Sequence, residues 1–178
     1  MTDRAHPPTG PSTVDELIAA NAAFAAAFDP ASPGCDLSSP RPTRRTAVVA
    51  CMDARIDLFA ALGLKLGEVH VIRNAGGIVT DDVLRSLVLS QRKLGTREVL
   101  VVHHTDCGLH GLADDALADE IEAETGVRPP FAFGGFDDVD ASVRASVARV
   151  RAAVYVPHRD VVRGFVYEVR TGRLREVR

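Results

Sequence analysis

The sequence has no tryptophan, two tyrosines, two methionines and three cysteines in 178 residues. Cysteines at 35, 51 and 107 are too few and too scattered for a disulfide framework. Free thiols suit a reducing compartment, where they act as ligands or nucleophiles, so a cytoplasmic location is expected. No apolar stretch approaches the roughly 20 residues of a membrane span. The opening residues 1–8 also lack the apolar segment of a signal peptide. Charge of one sign is missing too: a formal net charge of −3 gives no electrostatic argument for nucleic acid or an anionic membrane as partner. One basic cluster, Arg41, Arg44 and Arg45, reads as a solvated approach to the first strand. There is no internal repeat and no sign of a second domain. The length suits a single domain over 1–178 with a substantial core.

Short apolar runs alternate with helical patterns from Thr46 onward, which predicts an α/β fold with a mostly parallel central sheet flanked by helices. Strands are expected at 46–51, 68–73 and 98–103, each apolar enough to be covered on both faces. Helices are expected at 56–62, 80–94, 112–125 and 138–153. Thr80 suits the cap of the second and Gly95 its end, while Gly126 ends the third. Val139, Val143, Val147 and Val150 form a stripe on the fourth. The segments 164–169 and 174–177, joined through Thr171-Gly172, predict a C-terminal hairpin at the sheet edge. Ahead of the sheet, residues 1–13 read as a poorly ordered arm. A helix over 14–28, capped by Ser12 or Thr13, is Ala-rich and apolar nearly all round. Such a helix needs burial on more than one side, against its own domain or a partner subunit. Residues 29–45 form a Pro/Ser/Gly/Arg connector in which Cys35 reads as incidental. The loop 129–136 carries Phe131, Phe133 and Phe136, which either pack beneath it or wall an apolar pocket.

Two clusters carry chemistry. Cys51-Met52-Asp53-Ala54-Arg55 closes the first strand, and His103-His104-Thr105-Asp106-Cys107-Gly108 follows the third. If strand geometry persists past Cys51, then Cys51, Asp53 and Arg55 share one face. Both clusters fall at the carboxyl ends of strands, where open α/β sheets bind ligands. Cys51, His104 and Cys107 are donors that zinc prefers, and three protein ligands leave a fourth position open. Asp53, held ionised by Arg55, would accept a hydrogen bond from a metal-bound water. Two thiolates cancel the charge of Zn²⁺, so activity should rise toward alkaline pH. His103 should face away from the ligands as a satisfied structural histidine, while His110 lies near enough to be considered as a proton relay. The glycines of Arg73-Asn74-Ala75-Gly76-Gly77 suggest close backbone approach to the site.

These residues resemble the β-class carbonic anhydrases, in particular the short bacterial and archaeal members, mycobacterial ones included. The resemblance rests on Cys-x-Asp-x-Arg (51, 53, 55) and His-x-x-Cys-Gly (104, 107, 108). It extends to the run 71–77 and to Ser86-Leu87 through Leu94-Gly95, and it is strongest over 46–111. It implies reversible hydration of carbon dioxide to bicarbonate and a proton by zinc-bound hydroxide. Cys51, His104 and Cys107 would be the metal ligands, with Asp53 and Arg55 the catalytic dyad. In a closed state Asp53 would become the fourth ligand. The resemblance further implies a homodimer, or a dimer of dimers, in which the helix at 14–28 docks on the partner. The missing tryptophan removes support for the bicarbonate-inhibition pocket of some closed-type members. Two alternatives share the site: hydrolysis of carbon disulfide or carbonyl sulfide, and a non-catalytic zinc-stabilised or bicarbonate-sensing module.

Overall fold

The apolar run at 46–51 forms β1 (Thr46–Cys51), an interior strand of the sheet, with residues 47–51 all buried. It pairs in parallel with β2 (Val69–Asn74) on one side and β3 (Glu98–His104) on the other. β4 (Val162–Glu168) runs parallel to β3, and β5 (Arg173–Val177) returns antiparallel along β4 to give the order β2-β1-β3-β4-β5. The expected edge hairpin is therefore β4–β5, turning through Gly172. In this computed structural model residues 12–30 and 39–178 are described; residues 1–11 of the expected arm, and Cys35 with its neighbours in the connector, lie outside them.

Alternation along β1 feeds two cores. Ala47 and Val49, with Val99 and Val101 of β3, face Val83, Leu84 and Leu87 of α3 (Asp81–Arg92) and Val150 of α5 (Val139–Ala152). Val48, Ala50 and Val102 face the other way, against Ile56 and against Leu58 of α2 (Leu58–Leu62). The helix limits follow local chemistry. The Thr80 side chain accepts from Val83 N–H at the start of α3, and Asp138 accepts from Asp140 and Ala141 at the start of α5. α4 (Asp114–Thr125) stops at Gly126 in the left-handed region.

The chain divides into two compact units, Met1–Cys35 and Asp36–Arg178. In the first, α1 (Thr13–Ala27) begins with a capping box: Ser12 Oγ accepts from Asp15 N–H, and Asp15 Oδ2 accepts from Ser12 N–H at 2.9 Å. None of its residues is buried, and Val14, Leu17, Ile18 and Phe24 all stand exposed.

Candidate metal centre

β1 and β3 run side by side and end at Cys51 and His104, so both clusters arrive at the carboxyl edge of the sheet. Past Cys51 the expected alternation stops. Met52 N–H still bonds Asn74 O at 2.8 Å, but Ile56 N–H then bonds Asp53 O at 3.1 Å and the chain turns. Asp53 and Arg55 meet through this turn, because the carboxylate folds back onto the following backbone. Asp53 Oδ1 accepts from Arg55 N–H at 2.9 Å and from Arg55 Nε at 3.0 Å, while Arg55 Nη2 donates to Oδ2 at 2.7 Å. Nη2 also donates to the carbonyl of Asp106 at 2.8 Å, tying the first cluster to the second. Asp106 takes φ +55°, a left-handed conformation that Asp tolerates better than most residues.

The second cluster is held by the end of the neighbouring strand β4. Thr105 N–H bonds Tyr167 O, and the Thr105 hydroxyl donates to Glu168 Oε1 at 2.9 Å. His104 Nδ1 donates to the Thr105 carbonyl at 2.8 Å, which leaves Nε2 with its lone pair as the metal-facing atom. That nitrogen is buried and has no hydrogen-bond partner among the described residues. Cys51 and Cys107 are buried beside it, and the three ligand atoms lie within 4.8 Å of one another. A tetrahedral zinc bound by two sulfurs and a nitrogen would space them by about 3.5–3.8 Å. The cluster thus fits one metal ion, and that ion would use the orphaned nitrogen. Asp53 Oδ2 stands 3.8 Å from His104 Nε2. Cys51, Asp53, Gly76, Cys107 and Leu109 line a cavity of about 200 Å³ at this point.

Proton affinities are set by the same contacts. Hydrogen bonds from the Arg55 side chain and backbone hold the Asp53 carboxyl far below the usual carboxylate range. Burial pushes the Cys51 thiol up, but the His104 ring and the N–H groups of Asp53 and Gly76 outweigh it and bring it down to about 7. Cys107 moves upward, through burial and the neighbouring Cys51. Burial lowers the His104 ring, yet its contact with Cys51 and its bond to Thr105 raise it overall. Without metal the pair resembles a thiolate beside an imidazolium, which a cation displaces by releasing protons.

Two supports were not visible in the sequence. Arg73 on β2 donates from Nε to Cys51 O at 2.8 Å and from Nη2 to Asp53 O at 2.7 Å, clamping the turn through its backbone carbonyls. In the sequence it stands only as part of the run 71–77, with no role assigned; the ladder places it beside Ala50. Phe136 braces the segment after Cys107: Gly111 N–H bonds Phe136 O and Phe136 N–H bonds Leu109 O. Of the three loop phenylalanines, Phe136 packs inward while Phe131 is exposed. His103 is fully buried; neither ring nitrogen makes a well-formed hydrogen bond among the described residues, and the Gly77 backbone is a polar neighbour, so the expected structural histidine is buried and largely desolvated. Burial pushes its pKa down to about 4, and the ring is neutral. The His110 backbone N–H donates to Cys107 O at 3.0 Å, but its ring is engaged elsewhere: Nε2 donates to Asp137 O and the ring meets Phe136 edge-on.

Fold and site together define an open α/β protein with a three-ligand metal position at the carboxyl edge of a parallel sheet. The sequence model of the carbonic anhydrase family matches residues 46–127. Beta-carbonic anhydrase 1 of Mycobacterium tuberculosis is 45% identical over 166 residues, covering 93% of this chain and 98% of that protein. A carbon disulfide hydrolase of Acidithiobacillus thiooxidans is 35% identical over 153 residues, covering 72% of this chain and 70% of the other. The crystal structure of a carbonic anhydrase from Streptococcus mutans aligns with a TM-score of 0.83 at 38% identity, covering 96% of this chain and all of that one. The chain belongs to the β-carbonic anhydrase family.

Proposed function

We propose that the protein catalyses the reversible hydration of carbon dioxide to bicarbonate and a proton, with zinc held by Cys51, His104 and Cys107. The observation that carries this reading is the pairing of a three-atom metal position with an adjacent carboxylate that its own arginine holds aside. Zinc held there would supply a Lewis acid that makes water a nucleophile. Asp53, ionised and fixed by Arg55, accepts the nucleophile's hydrogen bond and so orients its lone pair toward carbon. Arg55 also keeps the carboxylate from becoming a fourth ligand, which favours the open state. Two thiolates neutralise the ion, so the rate rises toward alkaline pH. The small cavity walled by Ala75, Gly76 and Leu109 suits an apolar triatomic substrate. A non-catalytic zinc-stabilised module would use Asp53 as a permanent fourth ligand, and the Arg55 clasp argues against it.

The protein is read as one functional domain in which unit 36–178 carries the site. α1, with its exposed apolar residues, would dock on a partner subunit of a homodimer. No described helix is long and apolar enough to cross a membrane. The reliance on free thiols supports a cytoplasmic setting.

Higher identity over more of the chain favours carbon dioxide over carbon disulfide as substrate. The direct comparison is between proton release from carbon dioxide and sulfide release from carbon disulfide, using one zinc-loaded preparation. Rapid hydration with background sulfide release is expected. Sulfide release with background hydration would transfer the site to the other substrate.

A further inference from the structure

Arg41 and Arg45, read from the sequence as solvated, line a cavity of about 530 Å³ together with Arg97 and His158. The cavity lies at the amino ends of β1 and β3, the opposite edge of the sheet from the metal position. Six residues of β1 separate the two, or about 15–20 Å. Among the described residues, no carboxylate lines it. Nine other arginines, Arg44 among them, form ion pairs with Asp or Glu. Among the described residues, these three do not. In a chain of net charge −3, that leaves a concentrated positive recess.

Its walls are built rather than loose. Arg45 sits at φ +53°, a strained conformation for a residue other than glycine. It is held there by Arg45 N–H bonding Pro42 O at 3.0 Å and by the Arg97 N–H donating to Arg45 O at 2.7 Å. This pins the Arg45 and Arg97 backbones to each other at the rim. Across the cavity, the buried Gln91 side chain bonds both backbone groups of His158 at 2.7 Å, fixing the segment that carries the imidazole.

We infer that this recess binds a phosphate-bearing anion of two or more charges, at a position separate from the metal centre. Guanidinium forks match phosphate oxygens bidentately, so a cavity lined by three of them favours multiply charged oxyanions over chloride. The volume admits a ligand as large as a nucleotide. Free inorganic polyphosphate and a nucleotide present the same chemistry.

The test is calorimetric titration of the full-length zinc-loaded protein with inorganic pyrophosphate, with ADP as a second arm. Saturable binding of one anion per chain is expected, weakening with added salt. It should fall at least about tenfold in the double variant Arg45→Gln/Arg97→Gln and stay unchanged in Arg173→Gln on the edge strand. Tighter binding of ADP than of pyrophosphate would assign the nucleotide source; the reverse order would assign the inorganic one. Carbon dioxide hydration by the double variant at the wild-type rate shows that the fold and the metal centre are intact. Absence of saturable heat up to millimolar pyrophosphate would overturn the proposal. So would undiminished binding by the double variant, since the anion would then sit at the metal or elsewhere.

Discussion

Replacing Gly77 by alanine should damage the metal centre through backbone contact alone. Gly77 has φ +68°, where an alanine is disfavoured by about 1 kcal/mol. A Cβ there would lie 2.7 Å from Cys51 N, 2.8 Å from Ala50 C and 3.0 Å from Val102 O. All three are backbone atoms of the two strands that carry the ligands, so no rotamer change relieves the overlap. Overpacking of this kind adds about 1–3 kcal/mol. Gly95 supplies the control, because its φ is +80° and a Cβ there meets nothing within 4 Å. Gly95→Ala should therefore lower Tm by about 2–4 °C and Gly77→Ala by about 5–15 °C. Scanning calorimetry measures both, and metal analysis should show zinc loss in Gly77→Ala alone, since the displaced atom is the amide of Cys51. Equal Tm losses, with zinc retained in both, would refute the close approach as the reason for glycine at this position.

Three further outcomes follow from the same geometry. Arg55→Lys should keep zinc but lose at least about 100-fold in the rate of carbon dioxide hydration, because an ammonium cannot hold Asp53 through two parallel bonds while reaching Asp106 O; stopped-flow kinetics with metal analysis checks it. Ultraviolet titration of the zinc-free protein should show a thiolate step near pH 7 that is lost in Cys51→Ser, and a later one from Cys107, displaced upward from an ordinary thiol. His103 is buried neutral, with a pKa of about 4 against an ordinary 6.5, so its contribution to stability is full above pH 6.5 and is lost as the pH falls toward 4. Denaturant unfolding of the zinc-free protein should lose about 3 kcal/mol more over that interval than zinc-free His103→Leu does.

Much of this was legible in the sequence because strand periodicity and ligand chemistry are local. The runs at 46–51 and 98–103 became β1 and β3 with the second one residue longer, and their ends brought Cys51, His104 and Cys107 together. The glycines after β2 do approach the site closely, as Gly77 shows. What stayed hidden depends on where the chain bends. Asp53 and Arg55 were expected to meet by alternation; they meet because an Asx-type turn replaces the strand. Arg73, Asp106 and Phe136 act through backbone carbonyls and amides, which leave no mark in residue type. The basic recess leaves no sequence motif because Arg97 and His158 are far in sequence from Arg41 and Arg45.

The central claim is that Cys51, His104 and Cys107 hold a zinc ion that hydrates carbon dioxide with the help of Asp53. Its most direct test is stopped-flow hydration by the metal-quantified protein across neutral to alkaline pH, with Cys51→Ser measured in parallel. The account predicts one zinc per chain and a rate that rises with pH, both lost in Cys51→Ser. Full zinc occupancy with hydration at the buffer background throughout that range would contradict it.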